Sequence, residues 1–333
     1  MGSTFLATPN IAVAKYWGKR DNALNLPDNG SISVTMDERI HTITSVEFDS
    51  RLVRDSLILN GKRESESVRA TKVLDAIRKR AGILERARII SKNNFPTAAG
   101  LASSASGFAA LACAAARAAG LKSSTRELSV FARLGSGSAS RSVLGGFVEW
   151  KKGSRKDGFD SYSVQIAPAS HWPEIRNVIA IVDPGRKKVG SAEGMEISAR
   201  TSKLYPERVK GNPKLLSSMR KAILERDLEF FLMLTMRESS HMHAIMLDSF
   251  PPIIYLNETS REILELVLEF NTSKGAVCAG YTFDAGPNAH VYTISKYEKE
   301  VKALLSEIKG VRELITCKPG CGPRELSESE SLL

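Results

Sequence analysis

Residues 93–107 read NNFPTAAGLASSASG, and residues 108–119 continue as FAALACAAARAA. The second segment is almost pure alanine, the best helix former, so a buried helix is expected there. The first segment supplies its mouth. Pro96, Gly100 and Gly107 punctuate a run whose only large side chains are Phe95, Leu101 and Phe108. Glycine and small hydroxyl residues let an anion approach the backbone closely. The unpaired N–H groups and dipole of a helix start make such a mouth an anion site. A Gly/Ser turn that merely caps a buried helix is the plainer reading, and the density of small residues argues against it. The G-x-x-x-x-G-K-[ST] pattern is absent, so this is not a Walker A loop.

Two further small-residue loops follow, GSGSASRS at 135–142 and KKVGSAEGM at 187–195. Each has closely placed hydroxyls, and Arg141 and Lys187/Lys188 add positive charge. Three such loops point to two polyphosphate groups, a nucleotide and a phosphorylated substrate. The net charge of +10 suits anionic ligands. No block of five or six like charges suggests a polyanion, and no nucleic-acid partner is expected. At 333 residues and 42% hydrophobic, the chain can bury one large or two medium cores. No apolar run reaches the ~18 residues of a membrane span, and no signal peptide is recognisable, so a cytoplasmic enzyme is expected. Four cysteines in so long a chain read as free thiols, with a Cys317–Cys321 bridge left open.

Elsewhere, residues 11–17 read as a strand carrying Lys15 in apolar company, which is costly unless the ammonium has a partner. Ser31 and Ser33 alternate with Ile32 and Val34, so they share one face of the next strand. Helices are expected over 65–81, 128–134, 213–226, 228–243 and 296–308. Thr259 and Glu262 suggest a capping box opening another helix. Residues 276–295 read as a hairpin whose turn, TFDAGPNA, carries one acid, Asp284. Interspersed helices and hairpins give an α+β class. A domain boundary is placed near residue 172, giving domains over 1–172 and 173–318 and a mobile acidic tail over 319–333.

The segment P-x-x-x-G-L-x-S-S-A at 96–105 resembles the phosphate loop of the galactokinase, homoserine kinase, mevalonate kinase and phosphomevalonate kinase superfamily. Within it, NIAVAKYWGKRD, NLPDNGSISVT, NNFPTAAGLASSASG, GSGSASRSVLGGFVEW, LDSFPPI and YTFDAGPNA resemble the diphosphomevalonate decarboxylases over residues 7–318. The resemblance implies a two-domain α+β fold with the active site in a cleft between domains, usually as a homodimer. The implied reaction is ATP-dependent decarboxylation of (R)-5-diphosphomevalonate to isopentenyl diphosphate, with Mg²⁺. Relatives that act as 3-kinases or on a differently phosphorylated mevalonate are the alternative. Carried over by motif, Asp284 handles the 3-hydroxyl proton, Lys15 neutralises the reacting groups and Arg141 holds the carboxylate. Tyr16, Lys19 and Arg69 match diphosphate-binding positions, with Ser136, Ser138 and Ser191 nearby. Asn93, Pro96, Gly100, Leu101, Ala102, Ser103, Ser104 and Ser106 would receive the nucleotide, Ser104 touching phosphate or Mg²⁺. His243 matches a family histidine and reads as helix packing. The third loop departs from the family, with GSAEGM where SSTxGM is more usual.

Overall fold

The computed structural model describes residues 2–64, 67–95, 103–182 and 189–333. In chain order the first elements are β1 (Gly2–Ala7), β2 (Asn10–Ala14), β3 (Lys19–Asp21), β4 (Leu26–Pro27), β5 (Ser31–Thr35), β6 (Thr42–Asp49), β7 (Ser56–Leu59) and β8 (Lys62–Arg63). There follow α1 (Val68–Ala81), β9 (Arg86–Asn93), α2 (Ser103–Ala118), α3 (Thr125–Gly135), α4 (Ala139–Ser142), β10 (Phe147–Trp150), β11 (Ser163–Ala167) and β12 (Ile175–Val182). The chain continues through α5 (Ser191–Thr201), α6 (Tyr205–Glu225), α7 (Leu228–Leu247), α8 (Glu258–Lys274), β13 (Gly280–Phe283), β14 (Ala289–Ile294), α9 (Glu298–Glu307), β15 (Val311–Cys317) and β16 (Arg324–Glu325).

The strands form three main sheets, in the orders β16-β1-β6-β9-β7-β8, β11-β10-β5-β2 and β13-β14-β12-β15. All pairings are antiparallel except β7 with β9. This is the α+β class expected from the mixed pattern. Helix α2 lies on the first sheet through Ala109, Ala112, Ala115 and Ala116, all buried in one cluster with Val46, Ile89 and Leu74. Alanine lets the helix axis come close to the sheet, which fixes the height of its N-terminus above the strand ends. A second cluster joins Ile32 and Phe147 of the second sheet to Ile179 and Tyr292 of the third, with Met219 of α6 and Phe231 of α7 between. Helices α6 and α7 therefore tie the two sheets together.

Several boundaries differ from expectation, each for a physical reason. Helix α2 begins at Ser103, five residues before the alanine run, so the paired serines occupy its first turn. Helix α6 starts at Tyr205 and carries Pro213 inside, because buried Tyr205, Arg208 and Asn212 anchor the turns before the proline. The capping box of α8 is Asn257 with Ser260, two residues before the Thr259/Glu262 pair. The third small-residue loop gives way to α5 at Ser191.

Residues 319–333, expected as a mobile tail, instead return to the first sheet. Strand β16 pairs with β1, and the Leu326 N–H donates to the Thr4 carbonyl at 2.8 Å. Leu326 is buried and the Leu332 N–H reaches the Ser45 hydroxyl at 3.0 Å. The outer edge of β1 leaves unpaired backbone groups, and the tail covers them. Charge alone suggested mobility, but one buried leucine and the backbone pairing hold the tail in place. The expected Cys317–Cys321 alternatives resolve to free thiols.

Candidate active site

One cavity of about 660 Å³ collects residues from both halves of the chain. Its walls include Asn10, Lys15, Tyr16, Lys19, Arg69, Ser103, Ser104, Ser136, Ser138, Arg141, Ser191 and Asp284. At its centre the Lys15 Nζ donates to Asp284 Oδ1 at 2.6 Å. Lys15 directly follows β2, and its side chain is 1% exposed. Asp284 follows β13 in the tight turn to β14, and its side chain, 42% exposed, opens into the cavity. Two side chains 269 residues apart thus make one ion pair.

Burial pulls the Lys15 ammonium below the ordinary lysine value, while Asp284 and Glu238 pull it back up and Arg141 pushes it down. For Asp284, the desolvating walls would raise the carboxyl. The Lys15 charge and hydrogen bond, with His290 and Arg141, outweigh them and hold it below the usual carboxylate range. Asp284 is therefore an ionised acceptor at neutral pH.

Arg141 lies on the short helix α4, beneath this pair. Its Nε donates to Asn10 Oδ1 and to Ser33 Oγ, both at 3.0 Å, and its Nη1 donates to Ser31 Oγ at 2.6 Å. The shared face of Ser31 and Ser33, read from alternation, is the cradle of this guanidinium. Burial draws Arg141 down to about 10, so it stays charged at neutral pH. Its partners are neutral, so the positive charge is left to act on an anion in the cavity.

A second positive group lies at the other end. The Lys19 Nζ donates to Asn25 Oδ1 at 2.7 Å, the Lys72 Nζ to the Ala23 carbonyl at 3.2 Å, and the Arg69 Nε to the Gly135 carbonyl at 2.6 Å. Arg69 also sits 4.5 Å over the Phe108 ring. Burial pulls Lys19 down, and the charges of Arg69 and Lys72 add to it. Three cations held by carbonyl oxygens, with no ion pair among the described residues, form a site for a multiply charged anion. Tyr16 packs edge-on against Trp150 at 4.9 Å, and its buried hydroxyl has no partner among the described residues. A Cβ at Gly137 would come within 2.9 Å of both rings, so glycine is needed for this approach.

The serines divide by place. Ser104 Oγ and Ser136 Oγ are 3.3 Å apart, and Ser136 Oγ and Ser138 Oγ 3.2 Å, so a row of hydroxyls runs from the start of α2 toward α4. Ser191, the first residue of α5, lines the opposite wall. Ser106 is not on the cavity. It is fully buried, and its hydroxyl meets Thr42 Oγ1 at 2.7 Å, because helix periodicity turns it toward the sheet. Asn93 is also off this cavity. It accepts from Thr42 Oγ1 at 2.7 Å and lines a neighbouring pocket of about 270 Å³ that shares Arg69, Ser103 and Ser104. Pro96, Gly100, Leu101 and Ala102, with Lys187 and Lys188, lie outside the described residues.

His243 is buried against Phe283, as helix packing predicts, and burial draws its imidazole down to about 4. The sequence reading passed over Asn10, Asn22, Lys72, Asn288 and His290, all on the cavity wall. Asn10 carried a signal, a polar residue opening an apolar strand. Lys72 carried none, being one of many lysines on a helix. Among the described residues no group of three His, Cys, Asp or Glu could hold a metal. A divalent ion here would be held mainly by ligand phosphates.

Comparison with known proteins shows the family and the fold. The model of the diphosphomevalonate decarboxylase-like N-terminal domain matches residues 7–163, and that of the mevalonate 5-diphosphate decarboxylase C-terminal domain matches residues 177–317. The diphosphomevalonate decarboxylase of Candida albicans is 43% identical, covering 97% of each chain. A structure of the mevalonate diphosphate decarboxylase from Enterococcus faecalis, concerned with mevalonate diphosphate mediated ATP binding, aligns with a TM-score of 0.89 at 34% identity, over 98% of this chain and 99% of that one. A relative solved in complex with MVAPP, AMPPCP and magnesium aligns with a TM-score of 0.90 at 35% identity, over 98% of this chain and 99% of that one.

Proposed function

The chain belongs to the diphosphomevalonate decarboxylase family, and from that premise we propose the roles its cavity residues play. The reaction is ATP-dependent decarboxylation of (R)-5-diphosphomevalonate to isopentenyl diphosphate, CO2, ADP and phosphate, with Mg²⁺. A tertiary hydroxyl is a poor leaving group. Phosphorylation of the 3-hydroxyl by ATP makes it a good one, and loss of phosphate with CO2 leaves the alkene.

Phosphoryl transfer depends mostly on positioning and charge neutralisation. Asp284, ionised and open to the cavity, accepts or orients the 3-hydroxyl proton. Lys15 keeps Asp284 ionised and neutralises charge at the reacting phosphoryl and carboxylate. Arg141, held by Asn10, Ser31 and Ser33, receives the carboxylate. Tyr16, Lys19 and Arg69, joined by Lys72, bind the diphosphate. Ser103 and Ser104 open α2 toward the nucleotide phosphates, and Ser104 contacts Mg²⁺. Ser136, Ser138 and Ser191 complete the walls, and Asn93 faces the nucleotide from the adjoining pocket. Pro96, Gly100, Leu101 and Ala102, outside the described residues, are assigned to the nucleotide on the family motif alone.

The observation that carries this reading is the 2.6 Å Lys15–Asp284 pair facing Arg141 in one cavity. Incubation with diphosphomevalonate, ATP and Mg²⁺ tests it: CO2 and ADP appear in equal amounts. ADP without CO2 indicates a 3-kinase and refutes the decarboxylase reading. The two family matches also support domains over 1–172 and 173–318. We take the protein to be a cytoplasmic homodimer, on the resemblance to its family. Among the described residues no helix is long and apolar enough to cross a membrane. Sedimentation at micromolar concentration tests the dimer, and a single monomeric species would refute it.

A further inference from the structure

Beneath Lys15 lies a second ion pair that the reaction scheme leaves unused. Glu238 of α7 and Arg208 of α6 meet at 2.5 Å, and each side chain is only 2% exposed. Both also reach the main chain of Lys15. Its N–H donates to Glu238 Oε1 at 3.0 Å, and its carbonyl accepts from Arg208 Nη2 at 3.0 Å. Asn29 Nδ2 donates to the same carbonyl at 2.9 Å. Lys15 lies just past β2, whose pairing with β5 slips between Ala12 and Ala14, so the sheet ladder does not set its position.

A buried ion pair is a poor device for stability, since apolar residues of similar volume serve as well. This one is also incompletely satisfied, because Arg208 Nε and Nη1 are buried with no partner among the described residues. Such a cost is understandable if the pair sets a geometry that packing alone would not. The two charges lock the N–H and C=O of one residue from two different helices. That fixes where the side chain of Lys15 leaves the backbone, and hence its reach to Asp284.

We propose that Glu238 and Arg208 are positioning residues for the reaction, holding the Lys15 backbone so that its ammonium meets Asp284. The proposal rests on the decarboxylase reading and extends it to residues outside the cavity wall. The charged and titratable groups around Lys15 are Asp284 on the β13–β14 turn, Arg141 on α4, Arg208 on α6, Glu238 and His243 on α7, and His290 on β14. Both imidazoles are drawn down to about 4 by burial, so neither titrates on the alkaline side. Glu238 acts on Lys15. The charges that act on Arg141 are those of Asp284 and Tyr16.

The test compares Glu238→Gln, the double variant Glu238→Gln with Arg208→Gln, and Glu238→Asp, using CO2 release over pH and thermal melting. Glu238→Gln strands the Arg208 charge, whereas the double variant leaves neither partner of the pair charged and Glu238→Asp keeps the negative charge. In the neutral variants kcat falls about tenfold or more with little change in the KM for ATP, as for an interaction made in the transition state. Their alkaline limb of kcat/KM moves down by about one unit, since the unsupported ammonium loses its proton earlier. In Glu238→Asp the limb stays at its wild-type position. An unmoved limb in the neutral variants, or activity lost only in proportion to folded protein, overturns the proposal. Absence of CO2 release by the wild-type protein would instead refute the decarboxylase reading.

Discussion

Replacing Lys15 by Met removes the ammonium and keeps a flexible chain of similar length. A charge-assisted hydrogen bond contributes about 1.5–3 kcal/mol. The Asp284 side chain is 42% exposed, and solvent screening reduces this to about 1–2 kcal/mol. Against that loss, the variant no longer buries an ammonium at 1% exposure, a cost of the same order. Stability at neutral pH is therefore nearly unchanged, and Tm moves by a few degrees at most. Turnover is not protected by this compensation. Loss of one preorganised charge at the reacting atoms costs about 10²–10³ in kcat. The pH profile carries a second signature. Asp284 has its pKa held down by Lys15, so the pair stabilises the fold above the ordinary carboxyl pKa, and this is lost as pH falls through the folded value. Without Lys15 the desolvating walls push Asp284 up, so the acid limb of kcat/KM moves to higher pH. Coupled ADP and CO2 assays across pH 4–8, with thermal melting, read both effects. A kcat within tenfold of wild type, or an acid limb that stays in place, would refute the reasoning.

Three further outcomes follow from the same geometry. Asp284→Asn lowers kcat by about 10²–10⁴ while ATP still binds, because a general base is lost and the nucleotide site is not; near-normal turnover contradicts the role. Lys72→Ala raises the KM for diphosphomevalonate about two- to fivefold, more at low salt than at high, with kcat preserved. An unchanged KM at low salt removes Lys72 from the anion site. Ala112→Leu, at a fully buried position of α2, overpacks the helix and costs about 1–3 kcal/mol, seen as a lower Tm by calorimetry.

The parts of this protein legible in sequence are those whose signal is local. Alanine density reveals α2, and two-residue alternation places Ser31 and Ser33 on one face before any partner is known. An apolar setting marks Lys15 as needing a counter-charge, though only the family motif points to Asp284. What could not be read depends on partners distant in the chain. Arg208 and Glu238 look like ordinary helix charges, and nothing nearby says that both point inward. Leu326 looks like part of an acidic tail until the free edge of β1 is known. Ser106 belongs to the same small-residue run as Ser104, but two residues along a helix turn its hydroxyl toward Thr42 instead of the cavity.

The most direct measurement is a structure of the protein with diphosphomevalonate and a non-hydrolysable ATP analogue with Mg²⁺. The account predicts the 3-hydroxyl oxygen of the substrate within hydrogen-bond reach of Asp284, about 2.6–3.2 Å, and the carboxylate on Arg141. A substrate seated with that hydroxyl in another cavity, or with its diphosphate on Arg141, would contradict it.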